Sequence, residues 1–68
     1  MTEDEARELI ATYTTDEILS IAAALSIRPV YNTDEEWLLL EAACLLLGNG
    51  APQRAVETLK AHKALKGE

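Results

Sequence analysis

The side chains best suited to nucleophilic or metal chemistry are Cys44 and His62, each the only residue of its type in this 68-residue chain. A zinc site needs about four nitrogen, sulfur or oxygen ligands, so we expect no metal site and no cofactor. Cys44 lies within a leucine-rich run, where burial raises a thiol pKa instead of lowering it. We therefore expect a thiol that lines the core and an imidazole at the edge of a helix.

Arrangements typical of enzymes are missing from the sequence. Neither Ser20 nor Ser26 is flanked by the glycines of a nucleophile elbow. The three glycines fall at predicted helix ends and turns, so they do not form a phosphate-binding loop. Paired catalytic carboxylates need a cleft between them, whereas the acids here lie at helix starts. We therefore expect that the protein is not an enzyme.

The chain is acidic, with 12 Asp and Glu against 6 Lys and Arg and a net charge of −6. Affinity for nucleic-acid phosphates comes from Lys and Arg, so we do not expect direct binding of DNA or RNA. Acids near helix N-termini and bases near the last C-terminus compensate helix dipoles, which is the main interpretation of the charge distribution. The alternative is an acidic face for a basic partner, formed by Glu3, Asp4, Glu5, Glu8, Asp16 and Glu17.

Helix starts are marked three times by a Thr followed three residues later by Glu, the capping-box pattern. The three pairs are Thr2 with Glu5, Thr14 with Glu17, and Thr33 with Glu36. Pro52 is predicted as the first residue of a fourth helix, where its missing N–H is harmless. The predicted helices span about residues 3–12, 15–25, 34–47 and 52–66.

The third predicted helix is apolar almost all round, since only Glu41 is polar between Trp37 and Leu47. Such a helix is central in a fold or spans a membrane, and this run is shorter than the roughly 20 residues that a bilayer requires. Gly48 is predicted to end it. The first ten residues are acidic and lack the apolar stretch of a signal peptide. We therefore expect a cytoplasmic protein that does not enter a membrane.

These elements predict a single all-α domain over residues 1–68. The expected fold is a small four-helix bundle, or three long helices plus one short, with a central leucine-rich helix and a C-terminal antiparallel helical hairpin. Residues 26–32 form a linker whose Val30 and Tyr31 are predicted to cover the core. The predicted core consists of Leu9, Ile10, Ile18, Ile21, Leu25, Leu38, Leu39, Ala42, Leu45, Leu46, Val56 and Leu59.

The C-terminal hairpin resembles one repeat of the tetratricopeptide type, in which Trp37-x2-Leu40 matches the start and Ala55-x3-Leu59 the second helix. Glu41 stands where that repeat has a small packing residue. Such arrays require about three stacked repeats, and the resemblance covers less than half of this chain. An ordinary antiparallel helix pair is therefore the expectation.

Three functions are compatible with these features. The first is a small acidic protein–protein interaction module, such as an adaptor, a chaperone-like partner or an inhibitor of a larger complex, of a kind that phages or mobile elements encode. The second is a nucleic-acid mimic whose carboxylates occupy a basic groove. The third is a dimeric transcriptional regulator, suggested by the helix-turn-helix-like run 21–27. The helix that follows opens with acids, however, where base-reading side chains are needed.

The predicted partner is a protein with a basic surface, because aromatic residues dominate binding hot spots and the acids complement bases. An apolar patch with an acidic rim is predicted for this contact, formed by Tyr31, Asp34, Glu35, Glu36 and Trp37. The alternative is that Trp37 packs inward.

Self-association as a two-fold dimer is also predicted, because so small a bundle cannot cover an all-round apolar helix. The residues assigned to this contact are Leu40, Ala43, Cys44 and Leu47. The alternative is that the surplus apolar surface is a groove for the partner.

Overall fold

The computed structural model describes residues 1–67, which form four α-helices and no strand. The helices are α1 (Glu3–Leu9), α2 (Thr15–Leu25), α3 (Asp34–Leu47) and α4 (Gln53–Leu65), with 3₁₀ turns at Pro29–Tyr31 and Gly48–Gly50. The predicted all-α bundle of three long helices plus one short is confirmed. Across residues 1–67, every helix is too short or too polar to cross a membrane.

All three predicted capping boxes are formed. At the start of α3, the Thr33 N–H donates to Glu36 Oε1 over 2.9 Å, and the Glu36 N–H donates to Thr33 Oγ1 over 3.2 Å. The Thr2 and Thr14 boxes have the same geometry. Because each box fixes an extended residue just before its helix, α2 and α3 span the predicted residues.

Three helix ends differ from the prediction, the smallest difference being that α4 ends at Leu65 instead of residue 66. Helix α1 ends at Leu9 instead of continuing to Thr12, because residues 10–13 are needed for the turn into the next cap, where the Tyr13 N–H donates to the Ile10 carbonyl over 3.1 Å. Pro52 is the N-cap of α4 and not its first helical residue, since its ψ of 136° is extended. Its carbonyl still accepts the first helical hydrogen bond, from the Val56 N–H over 3.1 Å.

Helix α3 is central and packs against each of the other three α-helices. On one side its buried residues meet α2 and α4, and on the other they meet α1. Leu40 is fully enclosed, with 0% of its surface exposed. The remaining buried apolar residues are small, apart from one isoleucine: Ala6, Ile10, Ala22, Ala42, Ala43 and Ala55. Alanines at these contacts let the helix axes approach closely.

The predicted core is therefore correct only in part. Ile10 and Ala42 are buried, and seven others are partly buried: Ile18, Ile21, Leu25, Leu39, Leu46, Val56 and Leu59. Leu9, Leu38 and Leu45 are exposed, so placing them in the core was wrong. Leu38 and Leu45 are seven residues apart, so they share one face of α3, which the other helices leave uncovered, and Leu9 is the last residue of α1.

The linker after α2 is held by two side-chain hydrogen bonds. The buried Ser26 hydroxyl donates to the Ala22 carbonyl over 2.6 Å, and Asn32 Nδ2 donates to the Leu25 carbonyl over 2.9 Å. Both satisfy carbonyls near the end of a helix, which would otherwise lack partners. The 3₁₀ turn at Pro29–Tyr31, between these two hydrogen bonds, leaves Val30 and Tyr31 exposed to solvent. The prediction that they cover the core was therefore wrong.

Candidate functional site

A groove of about 770 Å³, open to solvent, lies between α4 and the linker that follows α2. Ser26, Ile27, Pro29 and Val30 line it from the linker, and Trp37 lines it from α3. The α4 side consists of Arg54, Glu57, Thr58, Ala61, His62 and Leu65. These six follow a helical i, i+3, i+4 spacing, so they form one continuous face of α4.

The groove is bordered by apolar side chains that face water. Ile27 is 62% exposed, Val30 86% and Leu65 89%. Ile27 and Val30 lie in the linker, two residues before and one residue after Pro29, and Leu65 is the last residue of α4. Scattered exposed apolar residues are ordinary, whereas a group of them around one concave surface marks an interaction site.

Trp37 and His62 form the aromatic part of the groove. Their ring centroids are 3.6 Å apart and their planes are inclined by 7°, so the rings are stacked. Trp37 also packs against the buried cluster around Leu40. The tryptophan therefore packs inward against the core and also lines the groove.

Charge inside the groove is balanced, since the charged residues among its lining within residues 1–67 are Arg54 and Glu57. Glu57 Oε1 accepts a hydrogen bond from Gln53 Nε2 over 3.3 Å. A smaller depression of about 160 Å³ shares Trp37 and His62 with the groove, and Asp34 and Lys63 contribute to its lining. The predicted acidic residues thus lie beside the groove and not within it.

The residues of the predicted partner interface are only partly brought together. Tyr31 is 75% exposed but does not line the groove. Asp34 and Glu35 are exposed in the first turn of α3. Glu36 is engaged in the capping box with Thr33, so its carboxylate is not a free rim charge.

The residues assigned to self-association belong to the core of the single chain. Leu40 and Ala43 are buried within the single chain, so neither forms part of its surface. Cys44 and Leu47 are partly buried and pack on the same cluster. Burial raises the pKa of the Cys44 thiol, which disfavours the reactive thiolate. Helix α3 is covered more completely by its neighbours than its composition suggested, because alanines bring those neighbours close.

Sequence reasoning missed Ile27, Val30 and Leu65 as groove residues. Ile27 and Val30 carried a usable signal, since they are apolar residues within two positions of a proline in a segment without helical periodicity. Leu65 follows the periodicity of the apolar face of α4 and carried no such signal. Its exposure results from its position at the end of the helix, beyond the contacts with α3.

Several members of the predicted acidic face take part in local interactions of the helix starts. Arg7 pairs with Glu3 over 3.1 Å and with Asp4 over 3.5 Å. The Thr2 N–H and then the Thr2 hydroxyl stabilise the Glu5 carboxylate and lower its pKa. Within residues 1–67, no three His, Cys, Asp or Glu side chains are grouped as a metal site requires.

Comparison with protein-family models, curated proteins and solved structures found no match to this chain. We therefore infer the function of the groove from its own residues and their exposure.

Proposed function

We propose that the protein is a small acidic protein–protein interaction module that binds an apolar segment of a partner in the groove between α4 and the linker. An adaptor, a chaperone-like partner or an inhibitor of a larger complex would use such a surface. The observation that carries the proposal is the exposure of Ile27, Val30 and Leu65 around one groove.

Binding would gain its free energy from removing these side chains from water. Full burial of one large aliphatic side chain contributes about 1.5–3 kcal/mol, and Val30 and Leu65 are almost wholly exposed. Trp37 is held by its stack on His62, so little side-chain entropy would be lost when a partner covers it. A preorganised aromatic with apolar neighbours is typical of a binding hot spot.

The charges favour a partner segment with basic residues beside its apolar anchor. The whole chain carries −6, and the exposed carboxylates of Asp34 and Glu35 lie in the helical turn that contains Trp37. Charges at the rim of an interface mainly accelerate association. Glu36 is left out of this rim because it caps α3.

The groove is tested by comparing three Lys substitutions at exposed apolar positions. Val30→Lys and Leu65→Lys place a charge in the groove, whereas Leu45→Lys places one at an exposed site outside it. Each groove variant should weaken partner binding by about tenfold or more, with helix content unchanged by circular dichroism. Leu45→Lys should bind as the wild type does.

The partner is identified by photo-crosslinking in extract of the native host. A photoreactive residue at Val30 should capture a specific protein that the same residue at Leu45 does not capture. Capture from both positions, or capture that persists in the Leu65→Lys background, would contradict a groove-dependent partner. Once the partner is purified, replacing Asp34 with Asn and Glu35 with Gln should slow association at low salt, and unchanged rates would remove the acidic rim.

A further inference from the structure

We propose that, when no partner is bound, a second copy of this chain occupies the groove through an antiparallel contact between the two α4 helices. The proposal rests on the proposed function in assigning the groove to protein binding, and it adds a form of regulation. A partner would have to displace the second copy before binding. The proposed contact uses the groove face of α4 and not the α3 residues that the sequence analysis assigned to self-association.

The intervals between the α4 residues that line the groove are the same from the N-terminal end of the helix as from its C-terminal end. Its residues follow Arg54 at i+3, i+4, i+7, i+8 and i+11, which is one stripe of about three turns and about 16 Å. A two-fold axis through the middle of this stripe places each of its residues opposite another member. This is the pattern of a two-fold interface, in which residue i of the first copy contacts residue j of the second, and residue j of the first contacts residue i of the second.

The two residues at the centre of the stripe have small side chains. In the antiparallel register, Thr58 of one copy lies opposite Ala61 of the other. Ala61 is exposed and Thr58 is partly buried, so the small side chains leave the centre open for a close approach. Helix axes separated by about 8–10 Å pack in this way. The apolar residues at the border, Val30 and Leu65, would then be covered from both sides.

The polar residues of the stripe favour the antiparallel orientation. Glu57 then lies opposite His62 of the second copy, where a ring N–H can donate a hydrogen bond to the carboxylate. Arg54 lies opposite Leu65, beside the C-terminal carbonyls of the other α4, where the helix dipole is negative. A parallel pair would place Arg54 against Arg54 and Glu57 against Glu57. Like-charge juxtaposition of this kind is unfavourable at an interface.

The first test is the molar mass in solution, measured by light scattering and sedimentation equilibrium over a range of concentrations. The wild type should reach about 14.8 kDa, twice the chain mass of 7.4 kDa. Ala61→Arg places an arginine from each copy at the centre and should weaken dimerisation by at least about tenfold. Ala64→Arg is the matched control, because Ala64 is exposed on α4 outside the groove, and it should remain dimeric.

A wild type of 7.4 kDa at all concentrations would overturn the proposal. Equal effects of Ala61→Arg and Ala64→Arg, at unchanged helix content, would also overturn it, since the contact would then not follow the groove face.

The register is tested by disulfide crosslinking in a Cys44→Ala background. When copies carrying Thr58→Cys are mixed with copies carrying Ala61→Cys, the antiparallel register predicts that the mixed disulfide forms faster than either disulfide between identical copies. Faster linkage between identical copies would indicate a parallel pair and would overturn the proposal.

These outcomes separate the dimer from the proposed function. A monomeric wild type that still captures a partner through Val30 would refute the dimer and leave the binding module intact. A dimer with the predicted register that shows no groove-dependent capture would refute partner binding and leave the self-association intact. Where both hold, adding the purified partner to the wild type should convert the dimer into a partner complex.

Discussion

Trp37 of α3 stacks face to face on His62 of α4, with ring centroids 3.6 Å apart and planes inclined by 7°. The stack joins the start of α3 to the last turns of α4, as an antiparallel hairpin requires. Farther along the hairpin, contact between these helices relies on small side chains, Ala43 and Ala55. The aromatic pair therefore helps to fix the groove wall formed by α4.

We predict that His62→Ala destabilises the protein more than His62→Phe does. A stacked aromatic pair contributes about 0.5–1.5 kcal/mol beyond its buried area, which alanine removes and phenylalanine retains. Urea unfolding followed by the fluorescence of the single tryptophan measures the difference. Equal losses from the two substitutions would show that stacking contributes nothing to the hairpin.

We predict that two neighbouring leucines of α3 differ sharply when replaced by alanine. Leu40 is fully buried, and Leu40→Ala should cost about 2–5 kcal/mol by leaving a cavity. Leu38 is 47% exposed, and Leu38→Ala should cost about 1 kcal/mol or less. Denaturant titration of both variants gives the comparison, and similar free energies of unfolding would contradict the position of α3 in the bundle.

The starts of the long helices could be predicted from sequence because capping is local. The Thr33–Glu36 box requires only four consecutive residues and an extended backbone at the first of them. The end of α1 could not be predicted in the same way, since Ile10 and Tyr13 continue the apolar periodicity of the helix, and the chain turns there because Thr14 must cap the next helix.

The core and the groove depend on how the helices cross, which one sequence does not reveal. Leu38, Leu39 and Leu40 are chemically alike, so periodicity cannot indicate how deeply each is buried. Leu40 is fully buried, Leu39 is partly buried against α1, and Leu38 is exposed. Trp37 could be singled out by its residue type. The groove beside it could not, because the outward path of Val30 depends on a hydrogen bond from Asn32 to the end of α2.

We predict that the Cys44 thiol reacts slowly in the folded protein. Burial raises its pKa, so less thiolate is present at neutral pH, and thiolate is the reactive form. Alkylation by iodoacetamide should be slow for the native chain and fast in concentrated urea. Equal rates in both conditions would show that the thiol is open to solvent and would contradict its packing beside Leu40.

We predict that Glu5 makes the stability of α1 sensitive to acid. The Thr2 N–H and hydroxyl lower the Glu5 pKa below its ordinary value of 4.5, so the folded state favours the carboxylate. A group with a lowered folded-state pKa contributes stability that is present above its unfolded-state pKa and is lost as the pH falls through its folded-state value. The contribution should therefore be complete at neutral pH and should disappear below 4.5.

Glu5→Gln isolates this effect, because glutamine retains the capping geometry without a titrating group. Wild type should exceed Glu5→Gln in unfolding free energy at about pH 6, and the two should converge towards about pH 3. Glu8→Gln is the matched control, since Glu8 is exposed on the same helix and takes no part in the box, and it should follow the wild type throughout. A constant difference between wild type and Glu5→Gln across this range would show that the Glu5 charge does not stabilise the cap.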